Sequence, residues 1–426
     1  MSEETSPARS RRNGKGRMIA AGLVGVVGTT AIAAGGMGVG AAGAASSGPI
    51  LVDAVAAETG TFGVYGSADI AGLRTQITLA NKAGGVLGRK LKLQVVDDQS
   101  TAQKATVAIQ KLLSSGPMPV AVWAGAVSVD TAAILPTTTR AKVVSFTAAA
   151  TPTFVTPKKN PYNYVIFPSA NDQVAGTAAA LKKISKGKSK VGILYSNDTG
   201  GQAIAKAMQT STTGLPSYGL TVVNSQSVSD TATDMTPQLQ ALQQAGAQAI
   251  FLQFASPAQF VSTMNDIQTM GWKVGAVAGT TAITQTVMGG VPAPVQAQFG
   301  ALGTAPLARS STTATIPSKT QTFIKQLAKT GGNTGTLLFS MNNADAINLL
   351  VYAMKQTKSA TSLKVNAFLN KLGTNVPKGL LYQVPPPGFS PTNHGLTNGT
   401  FKHYWALLYA GKTVQGTYKG TVLPIK

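Results

Sequence analysis

Side chains equipped for covalent chemistry are scarce in this chain of 426 residues, which has no cysteine and two histidines, His394 and His403. A histidine-based triad would have to draw on one of these two, and His403 stands between Lys402 and Tyr404 in a strand pattern. The adjacent carboxylates Asp97 and Asp98 point to opposite faces of an extended segment, so they cannot clasp one bond. No His, Cys or Glu adjoins them to complete a metal shell, and they read instead as capping and inter-segment hydrogen-bond groups. No G-x-S-x-G elbow, P-loop or dinucleotide glycine fingerprint follows a strand. The expectation is a non-enzymatic protein with no metal and no cofactor, acting through non-covalent binding.

The elements that would position a binding site are legible from periodicity. An apolar strand, Ile50 to Ala57, runs into a turn at Glu58-Thr59-Gly60, and Ile70, Leu73, Ile77 and Ala80 then mark one helical face. Gly84-Gly85 and Gly88 stop that helix. Leu91, Leu93 and Val95 alternate with Lys92, Gln94 and Val96 as a second strand, and Asp97 to Ser100 offer N-caps for a helix over Thr101 to Leu113. Further strands are expected at Val120 to Ala124, Val143 to Phe146, Val191 to Tyr195, Leu220 to Val223, Ala249 to Phe254 and Val274 to Ala278. Helices are expected at Asn171 to Ile184, Gln202 to Thr212, Met235 to Ala245, Pro257 to Met270, Lys319 to Thr330 and Phe339 to Gln356. Such alternation signals an α/β fold with parallel sheets covered by helices. Thr400 to Tyr409 and Val414 to Tyr418 read as a hairpin around Gly411.

The run Asn81-Lys82-Ala83-Gly84-Gly85-Val86-Leu87-Gly88-Arg89 followed by Asp97-Asp98, with Glu58-Thr59-Gly60 and Tyr65-Gly66 before it, resembles the periplasmic leucine/isoleucine/valine-binding family of ABC transporters. The resemblance extends from about Ile50 to about Val422. It implies two doubly wound lobes of the type I periplasmic-binding-protein kind, joined by three hinge strands. Crossings are expected at Tyr164 to Ser169, Leu302 to Pro306 and Val384 to Gly388. Lobe 1 would be 49–168 plus 303–384, and lobe 2 would be 169–302 plus 385–426.

Residues 1–45 read as an export signal or N-terminal anchor: Arg9, Arg11, Arg12, Lys15 and Arg17 precede an apolar Gly/Ala-rich run, and Ala42-Gly43-Ala44 suits cleavage. Ser10-Arg11-Arg12 is similar to the start of a twin-arginine signal, although Gly14 and Lys15 stand where such signals carry apolar residues. Without cysteine there is no lipid-attachment site. The expected location is therefore the periplasm or the outer face of the cytoplasmic membrane. A formal charge of +22 could suggest nucleic acid, but no basic run is interleaved with aromatics, so nucleic acid is not an expected partner. The excess is uneven, since Asp345 is the sole acid beyond residue 299, and it suits steering of anionic solutes or proximity to wall polymers.

The resemblance also implies a site between the lobes, where C-terminal strand edges face each other. The first edge would supply Tyr65, then Ala126 and Ser128 from Gly125-Ala126-Val127-Ser128, then Thr147, Ala148 and Ala149. The second would supply Thr199 with Gly200, Ala255, and Thr280 with Thr281, while Phe254 reads as core. A buried ammonium without a carboxylate loses several kcal/mol, and Gly279-Thr280-Thr281 offers none where the family places an acid, which disfavours a free amino acid. Small walls at Ala126, Ala148, Ala149 and Ala255 suit a larger or less polar solute. The implied function is a monomeric extracytoplasmic solute-binding protein that clamps a small organic solute and delivers it to the transmembrane subunits of an ABC permease. The alternative is a membrane-anchored sensor or wall-associated binding protein without a transport role.

Overall fold

The structure, a computed structural model, describes residues 48–309, 316–382, 388–396 and 405–425. The expected export segment with its Ala42-Gly43-Ala44 motif, the Val384 to Pro387 stretch and His403 lie outside those residues.

The first layer follows the apolar pattern closely. Strand β1 (Ile50–Ala56) is buried at nearly every position, as a central parallel strand must be. Helix α1 (Gly63–Lys82), β2 (Leu91–Asp97), α2 (Ala102–Ser114), β3 (Ala121–Ala124), α3 (Ser128–Ala141), β4 (Val144–Thr147) and β5 (Asn163–Val165) follow. The five strands pair in parallel in the order β2-β1-β3-β4-β5. Thr101, rather than the expected Asp97 to Ser100, caps α2 by accepting from Lys104 N. Asp97 does form an inter-segment bond, accepting from Thr59 Oγ1 at 2.6 Å and so joining the exits of β1 and β2, and it also accepts from Gln99 N at 2.8 Å within its own turn.

Beyond β5 the chain passes into α4 (Ala170–Ile184), where Ser169 and Asp172 form a capping box. There follow β6 (Lys190–Ser196), α5 (Thr199–Gln209), β7 (Thr221–Val228), α6 (Thr236–Gln244), β8 (Ala249–Gln253), α7 (Pro257–Thr269), β9 (Gly275–Ala278), α8 (Gln285–Gly290), β10 (Phe299–Thr304) and β11 (Ala308–Arg309). Helices α9 (Ser318–Lys329), α10 (Leu337–Thr357) and α11 (Ser362–Leu369) return to the first sheet, and β12 (Trp405–Val414) and β13 (Thr417–Val422) end in the second. Among the described residues the second sheet has the order β11-β13-β12-β10-β9-β8-β6-β7.

Three expectations need correction. The second sheet is mixed rather than parallel, because β12 runs antiparallel to both β10 and β13. The β12–β13 loop is Gln415-Gly416, both with positive φ (47° and 75°), which matches the right-handed strand twist in a two-residue hairpin. Leu302 to Thr304 do not leave the second sheet: they are the end of β10 and pair with Leu407 to Trp405. The segment 388–396 does not join the second layer either. His394 stacks on Tyr164 at 4.3 Å and its Nδ1 meets Asn163 O at 2.9 Å, while Leu396 N donates to Val165 O, so the segment extends the first sheet beside β5. Burial holds the His394 pKa down at about 4, which keeps the imidazole neutral in this structural contact.

The first core is organised by buried polar groups. Trp123 Nε1 on β3 donates to Asp69 Oδ2 at 3.0 Å, and Asn343 Nδ2 on α10 donates to Asp69 Oδ1 at 2.5 Å. One turn on, α1 and α10 approach so closely that a Cβ on Gly72 would stand 2.3 Å from Ser340 O. Asp130 is fully buried nearby in α3 with neither carboxyl oxygen hydrogen-bonded. Burial raises Asp69 and Asp130 to about 8, and Asp98 to about 6; Asp98 adds repulsion at Asp69 and Asp130, and Asp97 adds it at Asp98. Among the described residues no group of His, Asp and Glu is arranged to hold a metal, and no helix is long and apolar enough to cross a membrane.

These carboxyls keep their protons in the folded chain at pH values where the unfolded chain has lost them. Their contribution to stability is full below about pH 4 and is lost as pH rises through about 8. The melting temperature is therefore expected to fall between pH 5 and pH 9. Asp130→Asn, which cannot ionise, should flatten that decline. Parallel melting curves of both proteins across this range are the check, and equal slopes would refute the assignment.

Candidate functional site

The C-terminal edges of the two sheets meet around a partly open, mostly apolar cavity of about 70 Å³. Five aromatic rings wall it: Phe62 and Tyr65 at the start of α1, Phe167 between the sheets, Phe254 after β8, and Phe339 in the first turn of α10. Tyr65 and Phe339 meet edge to face at 4.8 Å, and Phe254 leans on Phe260 at 4.9 Å, so the rings are held by packing behind them.

Polar groups enter from both edges. The Tyr65 hydroxyl donates across the cleft to Thr281 O at 3.2 Å, a bond spanning 216 residues. Burial, aided by the Asp198 charge, pushes the Tyr65 phenol well above its ordinary range, so it stays a donor. Helix α3 begins at the cavity with Val127, Ser128 and Val129, and its N-cap Val127 has no oxygen to satisfy the first-turn amides. Helix α5 begins opposite. There Asp198 Oδ1 accepts from Gly200 N at 2.8 Å and Gly201 N at 3.1 Å. Ser196 Oγ donates to Asp198 Oδ2 while accepting from Ala255 N at 3.0 Å, which ties the exits of β6 and β8 together. The two helix starts are close: a Cβ on Gly200 would lie 3.6 Å from Ser128 Oγ.

Of the ten residues expected from sequence, Tyr65, Ala126, Ser128, Ala148, Ala255, Thr280 and Thr281 line this cavity. Three do not. Thr147 is fully buried behind the wall, donating to Gly125 O at 2.7 Å and accepting from Ala149 N at 3.1 Å, so it shapes the loop that presents Ala148. Ala149 is buried in the adjoining core, and Ala150 takes its place in the lining. Thr199 is exposed, because as the first residue of α5 it turns outward while Asp198, Gly200 and Gly201 face inward. Phe254, expected in the core, is buried and also forms wall.

Sequence reading left Asp198, Gln253, Phe62, Phe167, Ile204 and Phe339 out of the site. Asp198 carried a usable signal, since an Asp before Thr-Gly-Gly after an apolar strand is an N-cap at a sheet's C-terminal edge. Phe339 carried none, because only the docking of α10 on α1 brings it there.

A family model described as periplasmic binding protein matches residues 50–407. The chain belongs to the periplasmic binding protein family. No curated protein sequence matches it. Solved structures that this binding protein resembles include the Streptococcus pneumoniae branched-chain amino acid binding protein LivJ in complex with isoleucine, at 18% identity and a TM-score of 0.68, covering 88% of this chain and 99% of that one. A branched-chain amino acid ABC transporter protein from Thermus thermophilus with bound valine matches at 16% identity and TM-score 0.71, over 89% and 96% of the two chains. A solute-binding protein of an ABC transporter from R. palustris in complex with 4-hydroxybenzoate matches at 19% identity and TM-score 0.68, over 88% and 96%. At such identities the likeness establishes the type I, two-lobed fold.

In this binding protein the Tyr65 bond joins the two cavity edges. Tyr65→Phe should remove about 1 kcal/mol from the closed state and shift its ratio to the open state about fivefold. Small-angle scattering without ligand should show a larger radius of gyration for the variant, and identical radii would contradict a latch role.

Proposed function

We propose that this chain is an extracytoplasmic solute-binding protein of an ABC importer that closes its two lobes on a small organic acid with an apolar body. The reading rests chiefly on one observation: the start of α3, with no side-chain cap, opens onto an aromatic-walled cavity between the two sheet edges. Backbone amides at a helix start, aided by the helix dipole, favour a carboxylate. The Ser128 hydroxyl stands beside them. The ligands named for the structural neighbours, isoleucine, valine and 4-hydroxybenzoate, share a carboxylate and little else, which supports placing that group here.

A free α-amino acid is a poorer fit. Thr280 and Thr281 supply no carboxylate, and Asp198, the acid that does reach the wall, already accepts from Gly200, Gly201 and Ser196. Three of its roughly four acceptor directions are engaged, which leaves little for an ammonium. Closure on the solute would present one rigid surface to the permease, and the permease partner, like monomeric action, belongs to this proposal.

The experiment is a thermal-shift series with benzoate, 4-methylpentanoate, their primary amides, and leucine. An acid at a hundred times its Kd should add about 2.7 kcal/mol of apparent stability. The acids should shift the melting temperature more than their amides, and 4-methylpentanoate more than leucine. A shift by leucine alone would overturn the organic-acid reading, and equal shifts by acids and amides would remove the carboxylate from α3.

A further inference from the structure

The strands of the first sheet meet the cavity with their C-terminal ends, so their N-terminal ends form the far end of that layer. Helices carry the chain back to this far end and finish there on cations. Lys82 stands in the last turn of α1, Lys111 in that of α2, Arg140 in that of α3 and Lys355 in that of α10, and Lys142 and Lys358 are the left-handed caps of the last two. All are exposed, as are Lys90 before β2 and Lys364 in α11. Of the acids in this layer, Glu58 and Asp97 stand at the opposite, C-terminal strand ends, and the others are buried. The helix dipole favours cations at helix C-termini and accounts for part of this pattern. It does not account for the apolar side chains set among them. Six large apolar side chains are exposed among the described residues, and three of them are here: Leu87 at 40%, Met118 at 52% and Leu363 at 57%. These three form a row. Leu87, with φ 51°, tips the Val86–Arg89 turn that leads into β2. Met118 lies two residues before Val120, whose N donates to Leu51 O near the start of β1. Leu363 follows Ser362, whose Oγ accepts at 2.6 Å from the N of Val144, the first residue of β4. In the order β2-β1-β3-β4 the row spans roughly 14 Å.

We propose that this end of the first layer is a docking surface for a bilayer rich in acidic phospholipids, with its Lys and Arg side chains at the headgroup phosphates and Leu87, Met118 and Leu363 entering the interface between them. Long cationic side chains reach phosphates with their heads while their stems and the apolar neighbours leave water, which is the chemistry of an interfacial surface. A soluble polyanion, whether wall polymer or nucleic acid, would satisfy the cations and leave the three apolar side chains in water. The row of apolar residues therefore favours lipid. The course of the chain points the same way. Arg89 Nε donates to Gly48 O at 2.7 Å at this end, and in sequence Gly48 follows the apolar Gly/Ala-rich run of residues 18–45. Whatever the chain carries before Gly48 is joined here, so an anchor and this surface would act on one membrane. The cavity lies at the opposite strand ends, so docking leaves it clear of the bilayer.

The chain has no cysteine, so a single introduced one can be labelled without further change. Leu87→Cys, Met118→Cys and Leu363→Cys, each carrying an environment-sensitive fluorophore in the full chain, are compared with Val107→Cys midway along α2 and Val422→Cys at the end of β13, both exposed elsewhere. The vesicles are phosphatidylcholine alone, or phosphatidylcholine and phosphatidylglycerol in equal parts. On the acidic vesicles the first three labels should shift to the blue and be quenched by lipid-borne quenchers, and the two controls should not. Lys111→Gln, Lys355→Gln and Lys364→Gln combined should weaken partitioning onto acidic vesicles at least about tenfold, and raised salt should act in the same direction. The melting curve of that variant should match the parent's, which separates loss of docking from loss of folding. Equal responses on neutral and acidic vesicles would mean that the segment before Gly48 alone holds the protein, and would overturn the proposal. Labels at the three positions that shift no more than the controls would overturn it too. Tight binding of soluble polyphosphate with no shift on vesicles would assign the surface to a polymeric anion instead.

Discussion

The close approach of α1 and α10 is the contact on which the rest of the molecule depends. Gly72 lets the two backbones meet, Ser340 Oγ donates to Ala68 O at 3.0 Å, and Asn343 donates to Asp69 from the same face. Asp69 in turn receives Trp123 from β3, so one buried carboxyl fixes helix to helix and both to the sheet. The consequence for the site is direct. The same helices carry Tyr65 and Phe339, whose rings meet at the cavity, so the aromatic wall is positioned by packing one to two turns away.

Electrostatics inside and outside the molecule run in opposite senses. The surface is rich in Lys and Arg, whereas the first core holds carboxyls that burial keeps protonated up to about pH 8. A neutral Asp69 can still accept from Trp123 and Asn343, so protonation does not cost the scaffold its hydrogen bonds. At the cavity the arrangement changes again. Asp198 stays engaged by the α5 amides, whereas α3 opposite has no side-chain cap, its first-turn acid Asp130 being buried without a hydrogen bond. The two helix starts, similar in backbone, therefore present different faces to a solute.

Much of the fold was legible because the chain obeys local rules. Ile70, Leu73 and Ile77 are buried as their spacing demands, and α4, α7 and α9 begin and end within a few residues of expectation. What failed to show depended on distant partners. Strand β5 is three residues long and exists because β4 and the 394–396 segment flank it. Helix α3 contains Pro136 and three consecutive threonines, weak local signals overridden by burial against the sheet. At the site, loop position identified seven of the ten lining residues named from sequence. It could not distinguish Thr147, which supports the wall, from Ala148, which forms it, because that difference lies in hydrogen bonds back to Gly125 and Thr131. Gln253 was invisible for a similar reason, since at the end of an apolar strand only its neighbours decide where its oxygen points.

The late arrival of α10 and of the 388–396 segment has a consequence for biogenesis. As the chain emerges from the ribosome, β1 to β5 appear first, but Asn343 reaches Asp69 only after a separation of 274 residues, and His394 reaches Asn163 after 231. Until then Trp123 lacks its anchored partner and the outer face of α1 lacks its cover, so a native first layer cannot close during early synthesis. The N-terminal half of this chain is thus sealed by residues that are among the last to be made.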